Sequence, residues 1–321
     1  MKRFYKNWIP ILMIIVIGII FYGFGINNQA SEKLHLIKVK NPNQLKELLH
    51  YNGDVLPIVS GHRGGSLPDF PENCIATFEN TLKYTYATIE CDPRFTKDSA
   101  IVLHHDPNLR RTTNGQGNIN SYTLAEIKNF KLKGRDGKIT DFQIPTLDEA
   151  LEWAKGKSIL VLDSKEVPIT TRVKKAVEHK AEANVIMIVY SFEEAKECYN
   201  FNRNIMMEVM IPSIDKGLEF EKTEVPWSNV IAFVGHNIPQ DKALFDWLHQ
   251  RGVMCMAGSS RNVDLKYLTG KVKDFSELKT EYAAFQSIGI DLIETDLPRE
   301  LGTLLFKNPI VGSSKLKYLK Y

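Results

Sequence analysis

The chain has 321 residues, 43% of them hydrophobic and 25% charged, and a formal net charge of +3. That balance describes a folded protein with a large core and excludes a disordered or low-complexity chain. Part of the positive excess sits at the ends, in Lys2, Arg3 and Lys6 and in Lys315, Lys317 and Lys320, and no basic stripe interleaved with aromatics marks a nucleic-acid surface.

Residues 1–30 read as a targeting segment. Met1–Lys6 is basic, and Trp8–Gly25 is an uncharged apolar run of 18 residues. That length fits a membrane-spanning signal anchor or the core of a cleaved signal peptide. The charges precede the run, so the remainder is expected outside the cytoplasm, held at the cell membrane or released as a secreted or periplasmic protein. Residues 31–56 form a polar connecting segment. It carries a short amphipathic helix opened by Asn41-Pro42-Asn43, with Leu45, Leu48 and Leu49 on its apolar face.

From residue 57 the pattern becomes regular. Apolar strand-like runs recur at 57–62, 87–92, 158–163, 185–191, 204–210, 230–235, 253–257 and 290–295. Helical stretches follow at 73–86, 146–156, 169–181, 192–200, 213–222, 239–251, 274–288 and 298–306. Strand-then-helix alternation implies parallel strands, and eight such units imply a closed (β/α)8 TIM barrel over 57–310, leaving 311–321 as a tail. Thr123 with Glu126 and Thr146 with Glu149 form capping boxes that open two helices. The run 100–105 follows residue 92 after too few residues for a parallel crossover, so 88–105 is expected as an antiparallel hairpin turning near Asp98. Residues 106–145, rich in Gly, Asn and Thr, form a long irregular segment that reads equally as a lid or as a plain insertion. Cys74, Cys91, Cys198 and Cys255 are scattered without metal-type spacing, and no disulfide is expected.

The chemistry gathers at strand ends. Glu90 and Asp92 are two apart and share a face of their strand. Two carboxylates there repel unless a cation sits between them, and an oxygen-loving divalent ion, Mg²⁺ or Ca²⁺, resolves the conflict. The alternative is a solvent-facing acidic pair. Asp163 ends the run 158–163 and offers a third carboxylate. Lys165, two residues on, can neutralise phosphate, or the two can form an internal pair at the barrel mouth. His62 and Arg63 end the first strand. The hairpin places Asp92 opposite His104 and Glu90 opposite Asp106, returning His105 to both carboxylates. His104 points the other way and is set aside. Two histidines, an arginine and a divalent cation suit phosphodiester cleavage, one His taking a proton from the nucleophile and the other protonating the leaving alkoxide. His35, His50, His179 and His249 read as structural, and His236 stays undecided.

His62-Arg63, Glu90-x-Asp92 and His105 resemble, in order, the HR…ExD…H signature of the glycerophosphodiester phosphodiesterase family. Further runs resemble its motifs: Pro71-Glu72-Asn73, Thr96-Lys97-Asp98, His105-Asp106 through Arg111-Thr112-Thr113, Ile144-Pro145-Thr146-Leu147, Asp163-Ser164-Lys165 and Thr295-Asp296-Leu297-Pro298. The likeness spans about residues 58–300 and is to a bacterial sub-branch. It implies a TIM barrel, a divalent metal on Glu90, Asp92 and Asp163, an acid/base pair in His62 and His105, and phosphate binding by Arg63 and Lys165. The implied reaction releases glycerol 3-phosphate and an alcohol from a glycerophosphodiester. A phospholipase-type phosphodiesterase that cuts a lipid or polymer headgroup and stops at a cyclic phosphate is the alternative within enzymes. A silent binding barrel would be expected to have lost one of these groups. The chain departs from the pattern in four places. Asp163 replaces a glutamate, Cys74 a threonine and Ser99 a glycine, and no tryptophan stands in the stretch Cys255–Ser260, so the alcohol side of the pocket is expected to differ.

Overall fold

The computed structural model describes residues 33–54, 56, 58–237, 240–307 and 311–321. The apolar stretch expected as an anchor or signal lies outside them. Among the described residues, no helix is long and apolar enough to cross a membrane.

Eight parallel strands close into a barrel, each hydrogen-bonded to its sequence neighbour. They are β1 (Ile58–Gly61), β2 (Ala87–Cys91), β3 (Leu160–Leu162), β4 (Val185–Val189), β5 (Met206–Met210), β6 (Val230–Gly235), β7 (Cys255–Gly258) and β8 (Leu292–Thr295). Closure is made by β8 against β1, with Leu292 opposite Ile58 and Thr295 opposite Gly61. Each barrel strand is followed by a helix: α1 (Ile75–Leu82), α2 (Leu147–Ala154), α3 (Ile169–Glu178), α4 (Phe192–Phe201), α5 (Ile214–Glu221), α6 (Lys242–His249), α7 (Lys279–Ile288) and α8 (Pro298–Leu305). All eight units therefore lie where the periodicity put them.

Local chemistry explains the helix starts. Thr146 accepts from the Glu149 amide and Glu149 returns the bond, the reciprocal capping box expected for α2. Ser191 caps α4 through the Glu194 amide, and Pro298 opens α8, where its missing N–H costs nothing. Alternation along the strands divides the core in two. Residues such as Val59, Ile89 and Leu160 face the helix ring, whereas Ile58, Val161, Ile186, Met206 and Leu292 fill the barrel. The helix Pro42–Leu48 buries Leu45 and Leu48 into that inner cluster, and the ribbon formed by Leu36–Ile37 and Leu319–Lys320 lies beside it. All four cysteines are buried and free.

Two expectations change. The hairpin is real but shorter than 88–105: Pro93–Phe95 pairs antiparallel with Ile101–Leu103. Residues 87–91 cannot belong to it, because both edges of β2 are already paired, to β1 and to β3. Pro93, which has no N–H to give a ladder, marks the break. Asp92 does lie opposite His104, whose amide donates to the Asp92 carbonyl at 2.8 Å, but Glu90 does not face Asp106. Ser99, standing for a glycine in its turn, adopts φ +63, the left-handed conformation that explains a glycine there. The segment 106–145 is not irregular either. It holds the helix Leu124–Ile127 and a ribbon of Lys131–Lys133 with Ile139–Gln143 around a small core of its own.

Candidate active site

All seven expected site residues, His62, Arg63, Glu90, Asp92, His105, Asp163 and Lys165, line one cavity of about 460 Å³. Its walls come from the carboxyl ends of the barrel strands, where the loops of this fold converge.

The backbone is bent to serve the site. Arg63, Asn73 and Lys165 adopt φ of +53, +55 and +38, a region that non-glycine residues rarely occupy. At Arg63 this turns the amide to donate to Glu90 Oε2 at 2.8 Å. The chain can fold back there only because Gly64 follows, since a Cβ on Gly64 would lie 2.5 Å from the Phe78 ring. Asn73 fastens the next element. Its Nδ2 donates to Asp92 Oδ2 at 2.6 Å, its Oδ1 accepts the Asp92 amide, and its own amide donates to the Arg63 carbonyl.

Glu90, Asp92 and Asp163 are all buried, and one carboxylate oxygen from each lies within 4.8 Å of the others. An all-oxygen set of this kind suits a hard divalent cation. The electrostatics agree. Burial and the neighbouring Asp92 charge push the Glu90 carboxyl well above its usual range, the unrelieved state that a cation would relieve. The Lys165 ammonium now bridges Asp163 and Asp92, at 2.9 Å from Asp92 Oδ1. Burial raises the Asp163 pKa, but Lys165 outweighs it and holds the carboxyl below its usual value. Tyr190, at the end of β4, donates its hydroxyl to Asp163 Oδ1 at 2.6 Å. The shorter aspartate is thus braced on both oxygens. Arg172, fully buried in α3, donates to the Leu162 and Ile188 carbonyls and pairs with Glu194, which fixes the two strand ends that carry Asp163 and Tyr190.

The two histidines are held alike but charged differently. His62 Nδ1 lies 2.8 Å from Asp296 Oδ1, and His105 Nδ1 lies 2.7 Å from Asp106 Oδ1, and among the described residues no hydrogen bond engages Nε2 of either ring. Burial pulls the His62 pKa down, but the Asp296 hydrogen bond and the charges of Glu294, Glu90 and Asp296 outweigh it and push it up to about 10. Burial lowers His105, and the facing Arg63 and Lys165 lower it further, outweighing Asp92 and Asp106. At neutral pH one imidazole carries a proton to give and the other a lone pair to accept one.

A network tightens this arrangement. Arg111 grips Asp106 and Glu72 at 2.7–2.9 Å through both forks, and Glu72 lies 3.2 Å from Arg63 Nη1. Among the described residues, Arg63 Nε is buried without a hydrogen-bond partner, with Asp92 Oδ2 at 3.8 Å as its nearest ion-pair contact. Asp296 is fixed by its amide bond to the buried Asp264, and Arg135 donates to its carbonyl at 3.0 Å. Arg111 and Arg135 belong to the segment 106–145, which is therefore pinned to the site.

His104, set aside in the sequence, is buried, its Nδ1 on the Asp106 carbonyl and its Nε2 on the Thr112 hydroxyl. His236 lines the cavity, with its buried Nδ1 lacking a hydrogen-bond partner. Glu208, Glu294, Tyr190 and the role of Asp296 were not singled out from sequence. A lone glutamate near the end of an apolar strand run, the signal that found Asp163, was present at both Glu208 and Glu294.

Comparison with known proteins places the fold and the chain in a family. Residues 62–262 match the model of the glycerophosphoryl diester phosphodiesterase family. A glycerophosphodiester phosphodiesterase of Caldanaerobacter subterraneus is 32% identical over 187 residues, 56% of this chain and 74% of that protein. The crystal structure of a glycerophosphoryl diester phosphodiesterase from Parabacteroides distasonis superposes with a TM-score of 0.85 at 39% identity, over 90% of this chain and 99% of that one. A phosphodiesterase from Oleispira antarctica, solved with the product sn-glycerol-3-phosphate, shares the fold at a TM-score of 0.57 and 20% identity, over 78% of this chain and 97% of that one. The chain belongs to the glycerophosphoryl diester phosphodiesterase family, and is an enzyme of the phosphoric diester hydrolase class.

Proposed function

We propose that the site hydrolyses a glycerophosphodiester to glycerol 3-phosphate and an alcohol, with His62 and His105 as its acid/base pair and a divalent cation, Mg²⁺ or Ca²⁺, held by Glu90, Asp92 and Asp163. The observation that carries this reading is two imidazoles, each with its Nδ1 on a carboxylate, lining one cavity with three grouped carboxylates. The product in the Oleispira antarctica relative is the one this reading assigns.

His105, neutral, removes a proton from the attacking water, whose oxygen bonds to phosphorus as the P–O bond to the alcohol breaks, and Asp106 keeps the His105 Nδ1–H engaged so that Nε2 receives that proton. His62, charged, gives its Nε2 proton to the departing alkoxide, while Asp296 stabilises the imidazolium beforehand. Arg63 Nε and the Lys165 ammonium supply donors to the phosphoryl oxygens. A divalent cation on the three carboxylates supplies Lewis-acid neutralisation of the charge that builds on the phosphoryl group. The cost of bringing these groups together is met in folding, so none of them has to reorganise during reaction.

The assay is the full chain with glycerophosphocholine, glycerophosphoethanolamine and glycerophosphoinositol, with Mg²⁺, Ca²⁺ or chelator, followed by phosphorus NMR. Glycerol 3-phosphate as the final product is expected. Accumulation of a cyclic phosphate would favour the phospholipase-type reading instead.

The protonation states fix a pH profile. Activity is expected to fall on the acid side below pH 6.5, as the lowered His105 takes a proton, and on the alkaline side near pH 10, as His62 loses its own. Asp296→Asn removes the largest influence raising His62. Its alkaline limb should move down by roughly 1–2 pH units while the acid limb stays. Arg63→Lys keeps the charge but loses the fork, so KM is expected to rise about tenfold with a smaller fall in kcat.

The basic Lys2, Arg3 and Lys6 before the apolar run support placement of the catalytic barrel outside the cytoplasm, tethered or released. Fractionation of cells expressing the chain, with the N-terminus of the recovered protein sequenced, tests this. Activity confined to the cytosol would contradict it.

A further inference from the structure

One residue layer above the apolar filling of the barrel, the floor of the cavity becomes acidic. Met206 and Leu292 belong to the filling, and two residues on along the same strands stand Glu208 and Glu294, on the same inward face. They are 5% and 7% exposed, and both line the cavity.

They differ from every other carboxylate of the cavity. Glu90 receives the Arg63 amide, Asp92 receives Asn73 and Lys165, Asp163 receives Lys165 and Tyr190, and Asp296 holds His62. Among the described residues, no hydrogen bond or ion pair holds Glu208 or Glu294; burial and the charges of neighbouring groups act on them instead. A buried carboxylate without a partner is costly, and the charge of Glu294 adds to that cost at Glu208. Six carboxylates line the cavity against Arg63, Lys165, Arg261 and the protonated His62. Burial and the charges of neighbouring carboxylates push Glu208 well above its usual range and raise Glu294 as well, a conflict that a cation between them would relieve.

We infer that Glu208 and Glu294 form a cation subsite that takes the primary ammonium of an amino alcohol esterified to the substrate phosphate. The inference rests on the phosphodiesterase reading above. An ammonium presents three donors, enough to serve both carboxylates, and its charge favours their ionised form. Its place follows from the chain: Glu294 lies two residues before Asp296, which holds the histidine that protonates the leaving alcohol. Phe233, 6% exposed and also on the cavity wall, offers a ring face and an apolar boundary that limits competing hydration. A second metal ion fits less well. The only set of three ligand groups in the cavity, among the described residues, is Glu90, Asp92 and Asp163, and a hard divalent ion seeks six or more oxygens.

The test compares kcat/KM of the full chain, purified in detergent with saturating divalent metal, on glycerophosphoethanolamine and on the n-propyl ester of glycerol 3-phosphate, in which a methyl group stands where the ammonium does. The wild-type ratio is expected to favour the amine ester by at least about tenfold. Glu208→Gln and Glu294→Gln, which keep the shape and remove the charge, should each lower that ratio about tenfold, chiefly through KM for the amine ester. Metal stoichiometry by isothermal titration runs alongside. An unchanged ratio in both variants, an equal loss on both esters, or a loss of one bound metal in either variant would overturn the cation subsite. A wild-type chain that cleaves neither ester would instead overturn the phosphodiesterase reading on which it rests.

Discussion

His62→Ala and His105→Ala are each expected to lower kcat on a glycerophosphodiester by about 10²–10⁴-fold, the usual size of a lost general acid or base. In barrier terms that is about 3–5 kcal/mol. Neither loss should come from misfolding. The two side chains are 23% and 33% exposed, and each pairs with a residue that is held elsewhere, Asp296 through its backbone amide to Asp264 and Asp106 through its carboxylate to Arg111. Circular dichroism of both variants should therefore stay close to wild type, while His62→Ala should melt lower at neutral pH, because the raised His62 pKa adds stability there. The two should differ in pH dependence: His62→Ala loses the alkaline limb near pH 10, and His105→Ala loses the acid limb.

Removal of the divalent cation is expected to abolish turnover, a loss of several kcal/mol in transition-state stabilisation, or at least about 10³-fold. Glu90→Gln separates that effect from folding. In the metal-free protein Glu90 is a buried carboxyl whose pKa is raised by burial and by Asp92. A group raised in the folded state adds stability below its unfolded pKa and loses it as pH rises through the folded value. At pH 8 the metal-free wild type has given up part of that stability, and the glutamine variant has nothing to give up. Glu90→Gln should therefore melt about 2–4 °C higher than wild type without metal, for a gain of about 1 kcal/mol. Added Mg²⁺ or Ca²⁺ should reverse the order. It stabilises wild type by about 2.7 kcal/mol at a hundredfold excess over Kd and leaves the variant nearly unmoved. A variant that melts lower than wild type in chelator, or gains as much from metal, would remove Glu90 from the cation set.

Much of this was legible in the chain. The eight strand–helix units follow from apolar runs spaced by helical stretches, and burial on both faces keeps those runs continuous. The strand ends then mark the site, because a charged residue ending such a run, Asp163 or Glu90, has nowhere to go but the barrel mouth. The hairpin argument returned His105 to Asp92 correctly, since the turn at Ser99 and the pairing of Pro93 with Leu103 are local. It failed for Glu90 because β2 spends both edges on barrel neighbours, a tertiary fact that local register cannot contain. Partners distant in sequence were equally hidden. Asp296 reaches His62 across 234 residues, and Tyr190 reaches Asp163 only because β3 and β4 are adjacent. Glu208 and Glu294 carried a visible signal, a single acid inside an apolar strand, but their want of partners appears only once the strands are closed into a barrel.

The central claim, that His62 gives the proton and His105 takes it, meets its most direct test in a change of leaving group. An ester of glycerol 3-phosphate with p-nitrophenol departs without needing a proton, so an enzyme lacking its acid should recover on it, whereas one lacking its base should not. With metal saturating at pH 7.5, His62→Ala should cleave the p-nitrophenyl ester within about tenfold of wild type, and His105→Ala should remain at least about 10²-fold impaired. Recovery of His105→Ala instead, or equal impairment of both variants, would contradict the assignment.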